Sequence, residues 1–217
     1  MRFLTYNIRH GEGVDGWVSN GRIARVIARA EPDVVGLNEV WHLRGMWDQA
    51  RLIAELSEMC HAYTPNHVRW IHALGNAVLT RGTILEHENT ALAGGMERRG
   101  ALVTRVVVDS VPVIFVSTHL SLGRAHRAAQ LQQLADELPR DEPLVLAGDL
   151  NCQANELGPL RERFTVIDCP PPTFPSLRPT RALDHIVFSR HWKLVSLEAV
   201  TSRASDHLPL LAELELA

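Results

Sequence analysis

Asp149 and Asn151 lie just past a short apolar run, Pro143 to Ala147, which is bounded by Pro and Gly and so reads as a buried strand. Side chains at i and i+2 share a side where extended geometry persists, so a carboxylate and an amide would face one pocket. Gly148-Asp149-Leu150-Asn151 is equally good turn chemistry, because short Asx side chains bond their own backbone. Recurrence favours a site. Thr5-Tyr6-Asn7, Leu37-Asn38-Glu39, Ser117-Thr118-His119, Leu183-Asp184-His185 and Ser205-Asp206-His207 each put a hydrogen-bonding or ligating residue at the edge of an apolar run. Singly, each has an ordinary reading: Asn7 as a turn former, Glu39 as an exposed strand end, His119 as a satisfied structural histidine.

The elements that must position these residues are legible from periodicity. Phe3 to Tyr6 and Val34 to Leu37 read as strands. Between them Ile23, Val26, Ile27 and Ala30 recur at helical spacing, with Ser19 or Asn20 as cap. Trp47 to Met59 reads as an amphipathic helix burying Ala50, Ile53, Ala54 and Leu56. From Tyr63 to Val116 the signals are β-like: Trp70-Ile71, Ala77 to Thr80, Thr83 to Leu85, Ala101 to Val108 and Val111 to Val116. Turns are predicted at Gly75, Gly82, Gly94-Gly95 and Asp109-Ser110. Arg124 to Leu138 reads as a helix with Ala128, Leu131, Leu134 and Ala135 inward. Strands resume at Ile186 to Phe188, Trp192 to Val200 and Leu208 to Leu214 after a Pro-rich loop near 169–175. This order predicts two face-to-face sheets, mixed and mostly antiparallel, with helices outside.

At 217 residues the chain suits one domain, 1–217, able to bury roughly 70–75% of its unfolded surface. A 46% apolar and 22% charged composition is that of a soluble globular protein. No run is long enough to span a membrane, and no leader pattern opens the chain, which predicts a cytoplasmic location. Cys60, Cys152 and Cys169 are odd in number and widely spaced, against a disulfide framework or a zinc site. A net charge of −3 lacks the basic excess that tracks duplex DNA, and no stable duplex partner is expected.

Taken together, Thr5-Tyr6-Asn7-Ile8-Arg9, Pro32-Asp33-Val34-Val35 with Glu39, Gly75-Asn76-Ala77-Val78-Leu79, Ser117-Thr118-His119-Leu120, Gly148-Asp149-Leu150-Asn151, Leu183-Asp184-His185-Ile186 and Ser205-Asp206-His207-Leu208-Pro209 resemble the endonuclease/exonuclease/phosphatase superfamily of metal-dependent phosphoesterases. The resemblance covers nearly the whole chain and comes closest to short bacterial members with Thr173-Phe174-Pro175-Ser176 before Leu183-Asp184-His185. It implies an α/β (α+β) fold, a four-layer α/β/β/α sandwich.

The resemblance also implies roles. Glu39 matches the Mg²⁺-binding carboxylate, with Asn7 and Asp206 close to the same ion and Mn²⁺ as a substitute. Asp149 matches the group that orients or deprotonates water, and Asn151 the amide that bonds phosphoryl oxygens. His207 matches the phosphate-facing histidine, paired with Asp184, and His119 a histidine near the leaving oxygen that acts as general acid. Arg9 matches a phosphate-contacting arginine and argues against the abasic-site branch. Asn76, Arg99 and Arg127 complete the expected substrate contacts, within a patch that includes Arg98 and Arg124. Asn38 stands where many members carry Gln, and Asn76 about where the deoxyribonuclease branch carries a glutamate supporting its histidine.

The expected activity is Mg²⁺-dependent hydrolysis of a small phosphodiester or phosphomonoester by a monomer. The alternatives are a nuclease acting on single-stranded or nicked nucleic acid and an inactive scaffold of the same fold. A Cys152 or serine nucleophile lacks a recognisable elbow or triad.

Overall fold

The computed structural model describes residues 1–94 and 97–217. In chain order the strands and helices are β1 (Arg2–Asn7), α1 (Asn20–Ala30), β2 (Val34–Leu43), β3 (Trp47–Asp48), α2 (Gln49–Leu56), β4 (Cys60–Arg69), β5 (His72–Thr80), β6 (Thr83–Leu92), β7 (Arg99–Val108) and β8 (Val111–Thr118). They continue as α3 (Arg124–Glu137), β9 (Leu144–Asp149), α4 (Gly158–Arg161), β10 (Thr165–Val166), β11 (Asp184–Phe188), β12 (Trp192–Ala199) and β13 (Leu210–Leu216).

One sheet runs β12-β13-β1-β2-β5-β4 with β3 paired to β2, and the other runs β10-β11-β9-β8-β7-β6. β1 pairs with β2 in parallel, as β8 does with β9; the other pairings are antiparallel.

Alternation along the strands builds three apolar layers. Phe3, Val34, Val78, Val145 and Ile186 face between the sheets. Their neighbours Leu4, Val35 and Leu79 pack outward with Ile23 and Ile27 of α1 and Ile53 of α2. Leu144, Leu146 and Val187 pack outward with Leu131 and Leu134 of α3 and Leu160 of α4. Strands buried on both faces need continuous apolar runs, which is why these segments lack a polar face. The result is the expected four-layer sandwich.

Several local expectations are corrected. Trp47-Asp48 is a short strand and α2 starts only at Gln49, because the Asp48 carboxylate caps the helix by accepting from Arg51 N–H at 3.0 Å. Leu56 is exposed. Trp70-Ile71 is a turn between β4 and β5 rather than a strand, and Gly75 lies inside β5 rather than in a turn. A Cβ on Gly75 would collide with the Thr64 carbonyl at a bulge in β4. In α3 Ala128 faces solvent, and Arg127 and Gln130 take the inward places beside Leu131. Gly82 and Asp109-Ser110 do form turns. Gly95, in the expected Gly94-Gly95 turn, lies outside the described residues. Among the described residues no helix is long and apolar enough to cross a membrane.

The sandwich brings polar strand ends together at one edge. Asn7 pairs in register with Asn38, and Asp184 with Asp149. Gly148 lets this edge close, since a Cβ there would strike the Thr118 carbonyl.

Candidate active site

Each side chain arrives through a local backbone device. A bulge in β2 between Leu37 and Val40 breaks the register with β5, and Glu39 within it has φ +57°. Bulges re-aim side chains, and left-handed non-glycine residues gather where surrounding bonds over-determine them. Arg9, His10 and Asn151 share this conformation at the same edge, with φ of 43°, 56° and 53°.

The Asp149 carboxylate is the point of convergence. Its Oδ2 accepts from Asn7 Nδ2 at 3.1 Å and lies 3.4 Å from His119 Nε2 and 3.7 Å from His207 Nε2. Its Oδ1 accepts from the Asn151 N–H at 3.0 Å. Burial pushes the Asp149 pKa up against the opposing pull of His119, His207 and the Asn7 bond. A carboxylate held this way is a better proton acceptor than a free one.

His207 is held from behind. Its Nδ1 donates to Asp184 Oδ2 at 2.8 Å, and the same oxygen accepts from Thr173 Oγ1 at 2.6 Å. Burial disfavours the imidazolium, but Asp184 outweighs it, with Asp149 and Asp206 adding, and the pKa is raised to about 9. The Phe174 ring packs on His207 at 4.8 Å between centroids, and the Arg181 guanidinium lies over Phe174.

His119 behaves oppositely. Burial lowers its pKa to about 4, despite Asp149 nearby, so it is neutral at pH 7. Asn151 Nδ2 donates to His119 Nε2 at 3.0 Å and to the Leu120 carbonyl at 3.0 Å. This corrects two expectations. His119 is an acceptor rather than a charged acid, and both Asn151 amide hydrogens are already engaged rather than free for phosphoryl oxygens.

Asn7 sits beside Glu39. Its Nδ2 bridges Asp149 and Glu39 Oε1, the latter at 3.1 Å, and its Oδ1 accepts from Arg9 N–H at 3.1 Å. It links two carboxylates, and its Oδ1 keeps a second lone pair. The remaining oxygen donors are Glu39 and Asp206. Glu39 Oε2 lies 3.7 Å from His10 Nε2, and Asp206 Oδ2 lies 3.8 Å from Arg9 Nε. Two half-buried carboxylates fit a hard divalent cation that keeps several waters. Asp149, Asp184 and His207 also cluster with potential ligand atoms within 4.8 Å. Within that trio Asp184 Oδ2 already accepts from His207 Nδ1 and Thr173 Oγ1.

A cleft of about 550 Å³ opens over these groups, lined by Glu39, Asn76, Arg98, Arg99, His119, Asp149, Asn151 and His207 among others. Arg99 is nearly buried there and pairs with Glu97 at 3.0 Å. Arg9 instead pairs with Glu12 at 3.3 Å and leans toward Asp206. Arg124 is exposed at the start of α3 and does not line the cleft.

Arg127 is not a substrate contact. It is buried, donating to the Ser121 and Leu122 carbonyls at 3.2 and 2.8 Å and to Glu156 at 3.0 Å. Asn76, though at the cleft wall, has its amide tied to Asn38, Gly100 and Ser117 and makes no hydrogen bond to His119. Cys152 is buried with its pKa pushed up to about 12 by burial, which rules against a thiolate nucleophile. Thr173, His10 and Arg181 went unassigned in the sequence; only Thr173 carried a signal, in Thr173-Phe174-Pro175-Ser176.

The model of the endonuclease/exonuclease/phosphatase family matches residues 4–207. YbhP of Escherichia coli K12, an uncharacterized protein, is 34% identical over 209 residues, covering 85% of this chain and 81% of its own. A solved endonuclease/exonuclease/phosphatase structure from Beutenbergia cavernae superposes with a TM-score of 0.88 at 25% identity, covering all of this chain and 72% of its own. A mannosyl-6-phosphatase from Bacteroides thetaiotaomicron shares the fold over the full length of both chains, with a TM-score of 0.78 at 15% identity. The chain therefore belongs to the endonuclease/exonuclease/phosphatase family, whose members are generally hydrolytic phosphoesterases.

Proposed function

We propose that the cleft hydrolyses a phosphoester bond by in-line attack of water, with Mg²⁺ as cofactor and Mn²⁺ as a substitute. The observation that carries this reading is the convergence of the Asn7 amide and the His207 imidazole on one oxygen of the buried Asp149. Asp149 takes the proton of the attacking water, and its raised pKa suits that task. His207, kept cationic by Asp184, opposes the negative charge of the nonbridging phosphoryl oxygens. Arg98 and Arg99 bring further positive charge to the same cleft.

Glu39 and Asp206 would hold the metal ion. When bound, a divalent ion supplies neutralising charge to the phosphate and leaving oxygen. His119 serves as a neutral brace for Asn151, and Asn7 keeps Glu39 and Asp149 at a fixed spacing.

A cleft of about 550 Å³ and a net charge of −3 favour a small phosphodiester or phosphomonoester over duplex DNA. The test is hydrolysis of bis-p-nitrophenyl phosphate, p-nitrophenyl phosphate, single-stranded DNA and plasmid, each with Mg²⁺, Mn²⁺ or EDTA. Metal-dependent release of nitrophenol is expected. Turnover of the nucleic acids alone would replace this substrate assignment with a nuclease.

A further inference from the structure

Two neighbouring turns beside the cleft carry a group of exposed apolar side chains that the chemistry above does not use. The turn between β2 and β3 and the turn between β4 and β5 are joined by the Arg44 N–H donating to the Ile71 carbonyl at 2.9 Å. Trp70 is 91% exposed, Met46 75%, Val68 62%, Ile71 50% and Trp47 42%. Leaving two tryptophans, an isoleucine and a methionine in water on adjacent turns forgoes burial worth roughly 1.5–3 kcal/mol per large side chain. Such a contiguous patch marks an interaction surface.

Next to these turns lies a groove of about 390 Å³, lined by Val18, Trp41, His72 and Ala73 together with Arg69 and Glu12. The Trp41 and His72 rings are parallel within 3°, 5.7 Å apart. The groove shares His10, His67 and Leu74 with the catalytic cleft, so apolar surface runs from the turns to the edge of the phosphate site.

We propose that the two turns dock this protein on an anionic lipid surface, and that the ester brought to Asp149 is the phosphate of an amphiphile whose apolar part lies in the groove. Three observations select lipid as the occupant. Tryptophan with aliphatic neighbours on turn tips is the composition of an interfacial anchor. Arg44 and Arg69 are exposed in the same two hairpins, where they complement anionic headgroups. The groove shares residues with a cleft that carries Arg98 and His207 as well as the Arg99–Glu97 pair, so it leads from apolar rings toward positively charged side chains. Docking stands on the turns alone; only the substrate assignment rests on the phosphoesterase reading.

The test is flotation of the full chain with vesicles of phosphatidylglycerol and phosphatidylcholine, beside vesicles of phosphatidylcholine alone. The comparison proteins are Trp70→Ser/Ile71→Ser and Arg44→Glu, with bis-p-nitrophenyl phosphate turnover measured for each. The wild type is expected to float with the anionic vesicles, with a blue-shifted tryptophan emission. Both variants are expected to lose at least about tenfold in partitioning while hydrolysing the soluble ester at the wild-type rate. Trp70→Phe should restore binding. Wild-type protein that stays with neither vesicle overturns the proposal, as does vesicle binding indifferent to both variants. Self-association abolished by the same substitutions, without flotation, assigns the patch to a second copy and also overturns it. Flotation lost in the variants supports docking even where no ester is turned over, which separates its fate from that of the catalytic reading.

Discussion

The backbone N–H of Asp149, at the end of β9, donates to Asn38 Oδ1 in β2 at 2.9 Å, a bond from one sheet of the sandwich to the other. Asn38 Nδ2 donates in turn to Asn76 Oδ1 at 3.0 Å, and Asn76 Nδ2 to the Gly100 and Ser117 carbonyls at 2.9 and 3.3 Å. Asn38 and Asn76 are both essentially inaccessible to solvent, so every bond in this relay is made without competition from water. Glu39 follows Asn38 directly, so the Asn38 side chain ties the backbone of Asp149 to the strand that carries Glu39.

Removing that side chain tests the relay. Asn38→Ala leaves the Asp149 N–H and the Asn76 carbonyl oxygen unpaired, at a cost of roughly 1–3 kcal/mol in stability. Thermal melting should reveal the loss, and kcat should fall more than tenfold because the general base is displaced. Asn38→Asp keeps an acceptor for Asp149 but not a donor for Asn76, and its kcat should lie between the two. Equal activity in all three proteins would show that the relay does not position Asp149.

Asp184 is fully buried behind His207, its Oδ2 accepting from His207 Nδ1 at 2.8 Å and from Thr173 Oγ1 at 2.6 Å. With Asp184 in place the His207 pKa is raised to about 9, so kcat/KM should be sustained at neutral pH and decline as pH rises through about 9. Asp184→Asn removes the carboxylate that outweighs burial, and the alkaline limb should move down by more than one pH unit with a loss of about 10–100-fold in kcat. An unmoved limb would detach His207 from the profile.

The same shift makes stability pH-dependent. The folded pKa of His207 lies above its ordinary value of 6.5, so between 6.5 and about 9 the folded chain binds more protons than the unfolded one. Its contribution is therefore full below 6.5 and is lost as pH rises through about 9. Burial of His119 has the opposite sign: its pKa falls to about 4, so stability declines as pH drops from 6.5 toward 4. Melting temperatures from pH 4 to 10 should show both limbs; His207→Gln should flatten the alkaline one and leave the acid one.

Arg127 should be structural. Its bonds to two carbonyls and Glu156 tie the start of α3 to the loop before it and to the segment that follows β9. Arg127→Leu should lower the unfolding free energy by roughly 1–3 kcal/mol and leave KM for the soluble ester within about twofold. A large rise in KM without destabilisation would restore it as a substrate contact.

Much of the sandwich was legible because its strands are buried on both faces, and Val34-Val35, Leu144 to Ala147 and Ile186 to Phe188 therefore stand out as apolar runs. The residues at their ends were legible for the same reason, as polar groups where such runs stop. What composition could not convey was the hydrogen-bond state of each group. Asn7, Asn151 and Asn76 are all at the site, yet the partner of each amide depends on chain segments distant in sequence. Arg127 and Ala128 were misplaced because buried polar side chains, Arg127 and Gln130, break the helical apolar stripe that the periodicity reading follows. Trp70-Ile71 reads as a strand by propensity, but lies at the reversal from β4 to β5, where its exposure is a feature of the surface.

The most direct measurement is the rate of metal-dependent bis-p-nitrophenyl phosphate hydrolysis by the wild type and by Asp149→Asn, alongside their melting temperatures. Asp149→Asn keeps the size and shape of the side chain while one oxygen that accepts from Asn7 or Asn151 becomes a donor, so the variant should remain folded with a melting temperature near or modestly below the wild-type value. Its turnover should drop by about a thousandfold or more, to the level seen with EDTA. A folded Asp149→Asn protein that retains wild-type turnover, or a wild type indifferent to EDTA, would contradict the account.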